Sequence, residues 1–145
     1  MLSIIHIGNR RARGRNAGIA YYNYLLSIGV QENFARMLIA QAAHETGGFR
    51  SRIYLQNNNL FGMRMPRIRK TVAVRELDTY AYYNSSFDSL DDMILWLNAR
   101  RSFNHAVLNM NIENYTRWLR EQAFYEDTHE NYSRGVQQWY NQIFG

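Results

Sequence analysis

The stretch "QENFARMLIAQAAHETGGF", residues 31–49, ends an apolar run with the carboxylate of Glu45, which two glycines follow closely. Its apolar spacing predicts a helix over about residues 31–46, ended by the glycines. At 100° per residue, Phe34, Leu38 and Glu45 fall within about 20° of one direction. Glu45 therefore shares the face of the helix that is predicted to contact the core.

This position gives Glu45 the properties of a candidate catalytic acid. Burial among apolar side chains disfavours the charged carboxylate and raises its pKa. The negative end of the helix dipole acts in the same direction. A carboxyl group that keeps its proton near neutral pH is suited to general acid catalysis. Two other interpretations are open, in which Glu45 is partly exposed to solvent or is paired with an arginine. In both of them Glu45 has no catalytic role.

The whole chain is predicted to form one mostly helical α+β domain with a small β-hairpin. Asn16 is a suitable N-cap and Gly29 a suitable end for the first helix. We expect a single domain over residues 1–145, with a basic N-terminal segment over 1–15 and a core over 16–143. The predicted elements are helices over 16–29, 89–97 (with Ser85 or Ser86 as start signal), 112–122 and 131–143, a structured loop with short helical turns over 49–62, and hairpin strands over 70–76 and 79–83.

The charge distribution favours an anionic partner. The net charge is +5, and basic residues cluster at residues 10–15 and 64–70. Such a surface suits nucleic acid, a membrane surface or an acidic wall polymer. The clusters lack interleaved aromatic residues and a known binding motif, so we expect no nucleic-acid partner. No apolar run reaches the roughly 18 residues of a membrane span, so we expect none.

The composition also limits the chemistry of the site. The chain has no cysteine, which excludes a disulfide framework, a thiol nucleophile and a thiolate metal site. Its histidines lack the spacing of metal ligands, and no phosphate-binding glycine loop is present. We therefore expect no metal and no cofactor. The histidines are His6, His44, His105 and His129.

Several short motifs follow one another along the chain. They are "AQAAHETGG" at 40–48, "NLFG" at 59–62, "YNSSFDSLDD" at 83–92 and, more loosely, "AFYEDTHENY" at 123–132. In this order they resemble the glucosaminidase family of peptidoglycan hydrolases, which includes flagellar-muramidase-like domains. The resemblance covers about residues 16–143 and implies a lysozyme-like domain with a small β-hairpin lobe. It implies cleavage of the β-1,4 bond after N-acetylglucosamine, with Glu45 as the catalytic acid.

The partner of Glu45 in catalysis stays open at this stage. Glycoside hydrolysis usually needs a second carboxylate, unless the N-acetyl group of the substrate attacks instead. The resemblance places this second role on Glu76, in the first strand of the hairpin, with Asp78 near the turn as its competitor. Attack by the N-acetyl group is the third alternative. Tyr83 falls on the motif tyrosine of the family, and we expect it to bind the substrate or orient the intermediate.

Several further side chains are candidates for the substrate cleft. Aromatic rings can stack on sugar faces, although they also pack in cores. The resemblance places Asn59 and Phe61 at the cleft floor, where Asn59 is expected to brace the backbone. His44 stands where the family often has leucine, and we expect it to be a packing residue. The substrate-binding candidates are Asn59, Phe61, Tyr54, Tyr82, Asp78 and Tyr125.

The sequence thus predicts an endo-β-N-acetylglucosaminidase that acts on peptidoglycan glycan strands. A muramidase or lytic transglycosylase on the same fold is one alternative, and a non-catalytic wall-binding or virion module is another. The start of the chain places its apolar part before its charges, which is the reverse of a secretory signal. From this we expect a phage-encoded enzyme that acts in a virion or in host lysis, with other virion proteins as further partners. The alternative is that the chain belongs to a larger exported protein.

Overall fold

The computed structural model describes the backbone from Leu2 to Gly145 and the side chains from Gly14 onward. His6 and most of the basic cluster at 10–15 therefore lie outside the described side chains. The predicted class is confirmed, because the fold is mostly helical and contains one small two-stranded antiparallel sheet. In chain order the elements are α1 (Leu2–Ser27), α2 (Glu32–Glu45), α3 (Arg52–Asn57), β1 (Arg75–Leu77), β2 (Tyr80–Tyr82), α4 (Ser86–Asn98), α5 (His105–Leu108), α6 (Ile112–Glu121) and α7 (His129–Phe144).

Helix α2 is the centre of the core, and it packs against both α1 and α7. Nine of its fourteen residues are buried, among them Phe34 and Leu38, which the helical period placed on the core face. Gly18 of α1 lets the three helices approach closely, because a Cβ there would lie 3.2 Å from Ile143 Cδ1 of α7. The position of Glu45 is therefore set by the most densely packed part of the molecule.

The end of α2 lies close to the predicted place and has a clear local cause. The Thr46 hydroxyl donates to the Ala42 carbonyl at 2.8 Å and accepts from the Phe49 amide at 2.8 Å. Gly48 follows at φ +80°, and a Cβ there would lie 2.5 Å from the Trp139 ring of α7. The chain can turn this tightly only with glycine at that position. As a result, Glu45 stands at the last turn of α2 beside open space.

The predicted ends of the elements were wrong in a few places. Helix α1 runs straight through Asn16, so this residue is not an N-cap. The strands have three residues each instead of seven and five, although the predicted hairpin is present. Helix α5 was not predicted, because a single turn of four residues is too short to show a helical period. Helix α4 begins at Ser86 and not at the predicted residue 89, although Ser85 is its N-cap as expected, since the Ser85 side chain accepts from the Phe87 amide.

Asparagine side chains hold the hairpin to the end of α3 and to the loop that follows α3. Asn57 Nδ2 donates to the Leu77 carbonyl at 2.9 Å. Asn59 Nδ2 donates to the carbonyls of Met63 and Ala81, both at 2.9 Å. The two strands pair in the register Arg75↔Tyr82, Glu76↔Ala81 and Leu77↔Tyr80. These bonds place the hairpin on one side of the space beside Glu45.

Candidate active site

A cleft of about 370 Å³ opens at the end of α2, with Glu45 in its wall. The hairpin contributes one side of the cleft, and the segment between α6 and α7 contributes the other. Four residues that were predicted from the sequence meet here. They are Glu45, Asn59, Phe61 and Tyr125, and the other lining residues are Ser51, Arg52, Ile53, Gly62, Tyr80 and Phe124.

Glu45 is held in a state close to neutral. It is half-buried, and Tyr132 donates its hydroxyl hydrogen to Glu45 Oε1 at 2.5 Å. Burial raises the pKa of Glu45 to about 7, and the hydrogen bond from Tyr132 opposes this rise. No ion pair with Glu45 forms among the described side chains. Burial therefore favours a Glu45 that keeps its proton near neutral pH, as a general acid requires.

The free oxygen of Glu45 faces the backbone of the NLFG motif. A Cβ at Gly62 would lie 3.9 Å from Glu45 Oε2, and Gly62 itself is exposed at φ +66°. The preceding Leu60 and Phe61 are buried, so that the motif forms the floor of the cleft. Glycine at this position therefore leaves room for another group to approach Oε2.

Asn59 braces this floor and has no polar atom left for a substrate. Its Oδ1 accepts from the amides of Phe61 and Met63, and its Nδ2 donates to two carbonyls. The residue is 1% exposed. The structure thus shows Asn59 as a residue that braces the backbone. The prediction that its polar atoms bind the substrate directly does not fit, because these atoms are already bonded within the protein.

Tyr132 is the site residue that the sequence reasoning missed. It lies in α7 and is buried. The ring of Tyr125 stacks on it at 3.7 Å between centroids, and the His44 ring meets it edge-on at 4.8 Å. The signal for it was present, because Tyr132 is the last residue of the "AFYEDTHENY" motif. His44 is a packing residue, as expected, and burial lowers its pKa.

A buried polar chain continues behind Tyr132. Tyr115 of α6 donates its hydroxyl hydrogen to Gln41 Oε1 at 2.7 Å, and both residues are 0% exposed. Gln41 precedes Glu45 by one helical turn, and its Nε2 has no hydrogen-bond partner of normal geometry among the described residues. Gln41 opposes the rise in the pKa of Tyr132 that burial and Glu45 cause.

The two candidates for the second carboxylate both lie outside this cleft lining. Glu76 is exposed on β1 and makes no described side-chain hydrogen bond or ion pair. Asp78 Oδ2 accepts from Gln56 at 2.8 Å and from Arg52 at 2.9 Å, and these bonds lower the pKa of Asp78. Among the described lining residues, Glu45 is the one acid.

Three of the predicted tyrosines also lie away from Glu45. Tyr83 is 0% exposed and donates to Asp92 Oδ2 at 2.5 Å, so its predicted contact with the substrate is corrected to a structural one. Tyr54 shares a 2.5 Å hydrogen bond with Tyr21 and lines a separate depression. Tyr82 lies under the Arg75 guanidinium, 4.7 Å from its ring centroid. Aromatic side chains pack in protein cores and also line substrate clefts, and the sequence alone did not distinguish the two environments.

The described residues also bear on metals and membranes. No three of their His, Asp and Glu side chains come together in a group that would hold a metal ion. Within the same part of the chain, no helix combines the length and the apolar character that crossing a membrane requires.

Comparisons with known proteins agree with this architecture. The family model described as mannosyl-glycoprotein endo-beta-N-acetylglucosaminidase matches residues 23–144. A peptidoglycan hydrolase from Sphingomonas sp. A1 has a similar fold, with a TM-score of 0.58, 21% identity, and coverage of 83% of this chain and 85% of that one.

A second similar structure is the catalytic domain of the autolysin Auto from Listeria monocytogenes. Its TM-score is 0.58 at 20% identity, with coverage of 92% of this chain and 86% of that one. Among curated proteins, none matches the sequence significantly. The family model spans most of the chain, and the chain therefore belongs to the glucosaminidase family of glycoside hydrolases.

Proposed function

We propose that this protein is a peptidoglycan hydrolase that cleaves the β-1,4 bond after N-acetylglucosamine, with Glu45 as the general acid. One observation carries the proposal: a half-buried carboxyl with a pKa of about 7 stands in the wall of an open cleft. Family membership supports a glycosidase, and two similar structures are described as a peptidoglycan hydrolase and an autolysin.

In the first step, Glu45 gives its proton to the glycosidic oxygen. The bond between that oxygen and C1 breaks, the leaving sugar keeps the proton, and positive charge develops at C1. Glu45 becomes a carboxylate, and the hydrogen bond from Tyr132 to Oε1 stabilises this new charge. In the last step, water adds to C1 and returns a proton to Glu45. Tyr132 thus favours proton release, while burial favours proton retention.

The group that stabilises C1 is proposed to be the N-acetyl oxygen of the substrate. Substrate assistance of this kind needs one enzymatic acid in the cleft. The location of Glu76 and Asp78 outside the cleft lining supports this mechanism. A role for Glu76 as base would instead require the hairpin to carry an exposed carboxylate toward Glu45.

Product analysis tests both parts of the proposal. Wild type, Glu45→Gln and Glu76→Gln are incubated with purified peptidoglycan, and the released ends are identified by mass spectrometry. We expect reducing N-acetylglucosamine ends from wild type and from Glu76→Gln, and almost none from Glu45→Gln. Undiminished lysis by Glu45→Gln would refute the general-acid assignment and support a structural role for that residue.

The cleft with one acid also favours a second candidate, a lytic transglycosylase, which can work with a single glutamate. In that reaction the muramic acid hydroxyl attacks C1, so that the products carry anhydro-N-acetylmuramic acid. The same experiment separates the two candidates. Anhydro or reducing N-acetylmuramic acid ends would sink the glucosaminidase proposal and leave Glu45 as the acid of a different reaction.

A further inference from the structure

A second depression, of about 600 Å³, lies beside the cleft and is strongly basic. It is formed by the segment after the NLFG motif and by the end of α4. Of its lining residues four are arginines, Arg64, Arg67, Arg69 and Arg100, and none is acidic. We call it the arginine groove. It contains most of the basic cluster at 64–70 that the proposed catalytic chemistry does not use.

Three of these arginines keep their charge available. Arg69 is paired with Asp92, at 2.7 and 2.9 Å. Arg64, Arg67 and Arg100 form no ion pair with any described acid. The Arg100 guanidinium rests over the Trp96 ring, 4.5 Å from its centroid.

The backbone that presents these cations is firmly anchored. Asp92 is 0% exposed and accepts from Arg69, from the Thr71 hydroxyl at 2.7 Å and from the Tyr83 hydroxyl at 2.5 Å. These bonds keep the pKa of Asp92 below its ordinary value, so the carboxylate stays charged. The Val74 amide still donates to the Tyr82 carbonyl of β2, whereas Thr71 is bonded to α4, which explains why the strand does not extend back to residue 70. A pinned segment loses little conformational entropy when its side chains bind a ligand.

The groove and the cleft lie next to each other, because residues that line one contact residues that line the other. The Arg64 guanidinium lies over the Tyr80 ring, 5.0 Å from its centroid, and Tyr80 lines the cleft. On the other side, the Trp96 ring meets the Phe124 ring at 5.0 Å, and Phe124 also lines the cleft. A polymer that passes Glu45 therefore reaches the arginine groove without leaving the surface.

We propose that the arginine groove binds the carboxylates of peptide stems on the glycan strand whose glycosidic bond lies in the cleft. This inference rests on the proposed function. The sugar backbone of such a strand is mostly uncharged, whereas its stems carry carboxylates, and guanidinium groups bind carboxylates in a planar, bidentate geometry. The groove thereby favours strands that still carry their stems.

The test compares two substrates and two double variants. The substrates are peptidoglycan strands freed of phosphate polymers, with the stem carboxylates either free or converted into neutral amides. Removal of the stems by an amidase is avoided, because it would leave a lactyl carboxylate on each muramic acid. The test variant is Arg67→Gln/Arg100→Gln. The matched control is Arg50→Gln/Arg134→Gln, which removes the same charge from exposed side chains outside both the cleft and the groove.

On strands with free stem carboxylates, the test variant is expected to raise KM about fivefold and to leave kcat unchanged, as the loss of two exposed ion pairs predicts. On strands with amidated stems it matches wild type. Added salt reduces the difference, because exposed charges are screened. An equal loss on both substrates, or an equal loss in the control variant, would overturn the inference.

Binding to the Glu45→Gln variant separates this inference from the proposed function. If wild type cleaves neither substrate, but strands with free stem carboxylates still bind better through Arg67 and Arg100, the proposed function fails and the groove assignment survives. If both substrates are cleaved and no preference for free stem carboxylates exists, the groove assignment fails instead. Tighter binding of duplex DNA than of stem-bearing strands, with the same arginine dependence, would also overturn it.

Discussion

The carboxylates at the end of α2 and on the hairpin differ in environment far more than in sequence context. Glu45 is half-buried, receives one short hydrogen bond and has its pKa raised to about 7. Asp78 is exposed and is bonded by Arg52 and Gln56, which lower its pKa. Glu76 is exposed beside it, across from Ala81. The surroundings of each group, and not its residue type, decide which one can hold a proton for catalysis.

Removal of the acid gives the largest expected effect. Glu45→Gln keeps the size of the side chain but has no proton to give, so kcat on peptidoglycan is expected to fall by about 10²- to 10⁴-fold. Assays of turbidity loss and of released reducing ends measure this fall. Glu76→Gln is the matched control on the hairpin. If the control loses as much activity as Glu45→Gln, the contrast between the two regions is broken.

Removal of the hydroxyl that donates to Glu45 has the next largest effect. Tyr132→Phe removes the hydrogen bond that lowers the pKa of Glu45, so that pKa rises. The alkaline limb of the profile of kcat/KM against pH then moves to higher pH. The activity maximum falls by about 10- to 100-fold, because the carboxylate formed on proton release loses its donor.

Tyr125→Phe serves as the control for Tyr132→Phe. Its ring stacks on Tyr132, but its hydroxyl donates to the Thr116 carbonyl and not to Glu45. The alkaline limb should therefore stay where it is in wild type. A limb that moves in the control, or one that does not move in Tyr132→Phe, would contradict the assigned role of the Tyr132 hydroxyl.

The polar chain behind Glu45 is expected to matter for stability. Gln41→Leu leaves the buried Tyr115 hydroxyl without its acceptor, and Tyr115→Phe leaves Gln41 Oε1 without its donor. Each change is expected to reduce the free energy of unfolding by about 1–3 kcal/mol. The double variant should lose less than the sum, because it removes both partners together. Urea denaturation measures all three variants, and strict additivity would show that the pair is not coupled.

The pH dependence of stability offers a smaller effect with a definite sign. The pKa of Glu45 rises on folding from its ordinary 4.5 to about 7, so the folded state binds the proton more tightly. The free energy of unfolding therefore falls as the pH rises through this window. Glu45→Gln lacks this loss, and its Tm relative to wild type should increase from pH 4 to pH 8. A constant difference in Tm would mean that Glu45 titrates alike in both states.

Local features of the site were predictable from the sequence, whereas contacts between distant segments were not. The helical period sufficed to place Glu45 beside Phe34 and Leu38, because all three lie within four turns of one helix. The partner of Glu45 is 87 residues away, and no periodicity links Tyr132 to it. Local β-propensity also overestimated the hairpin, since the bond from Thr71 to Asp92 of α4 withdraws residues that would otherwise extend β1.

The aromatic residues also show that contacts between distant segments were not predictable from the sequence. Tyr83 and Tyr125 both followed from motifs, yet Tyr83 is enclosed by the core and Tyr125 lines the cleft. A tyrosine in a motif predicts the same thing at both positions, namely contact with the substrate. The difference arises from Asp92, which captures the Tyr83 hydroxyl inside the fold.

The most direct test is a titration of the Glu45 carboxyl itself. Carbon-13 NMR of protein labelled at the glutamate side-chain carboxyl follows each resonance against pH, and Glu45→Gln assigns the signal by its absence. The account predicts a midpoint near pH 7 for Glu45. A midpoint near the ordinary value of 4.5 would contradict it, because Glu45 would then hold almost no proton to donate at neutral pH.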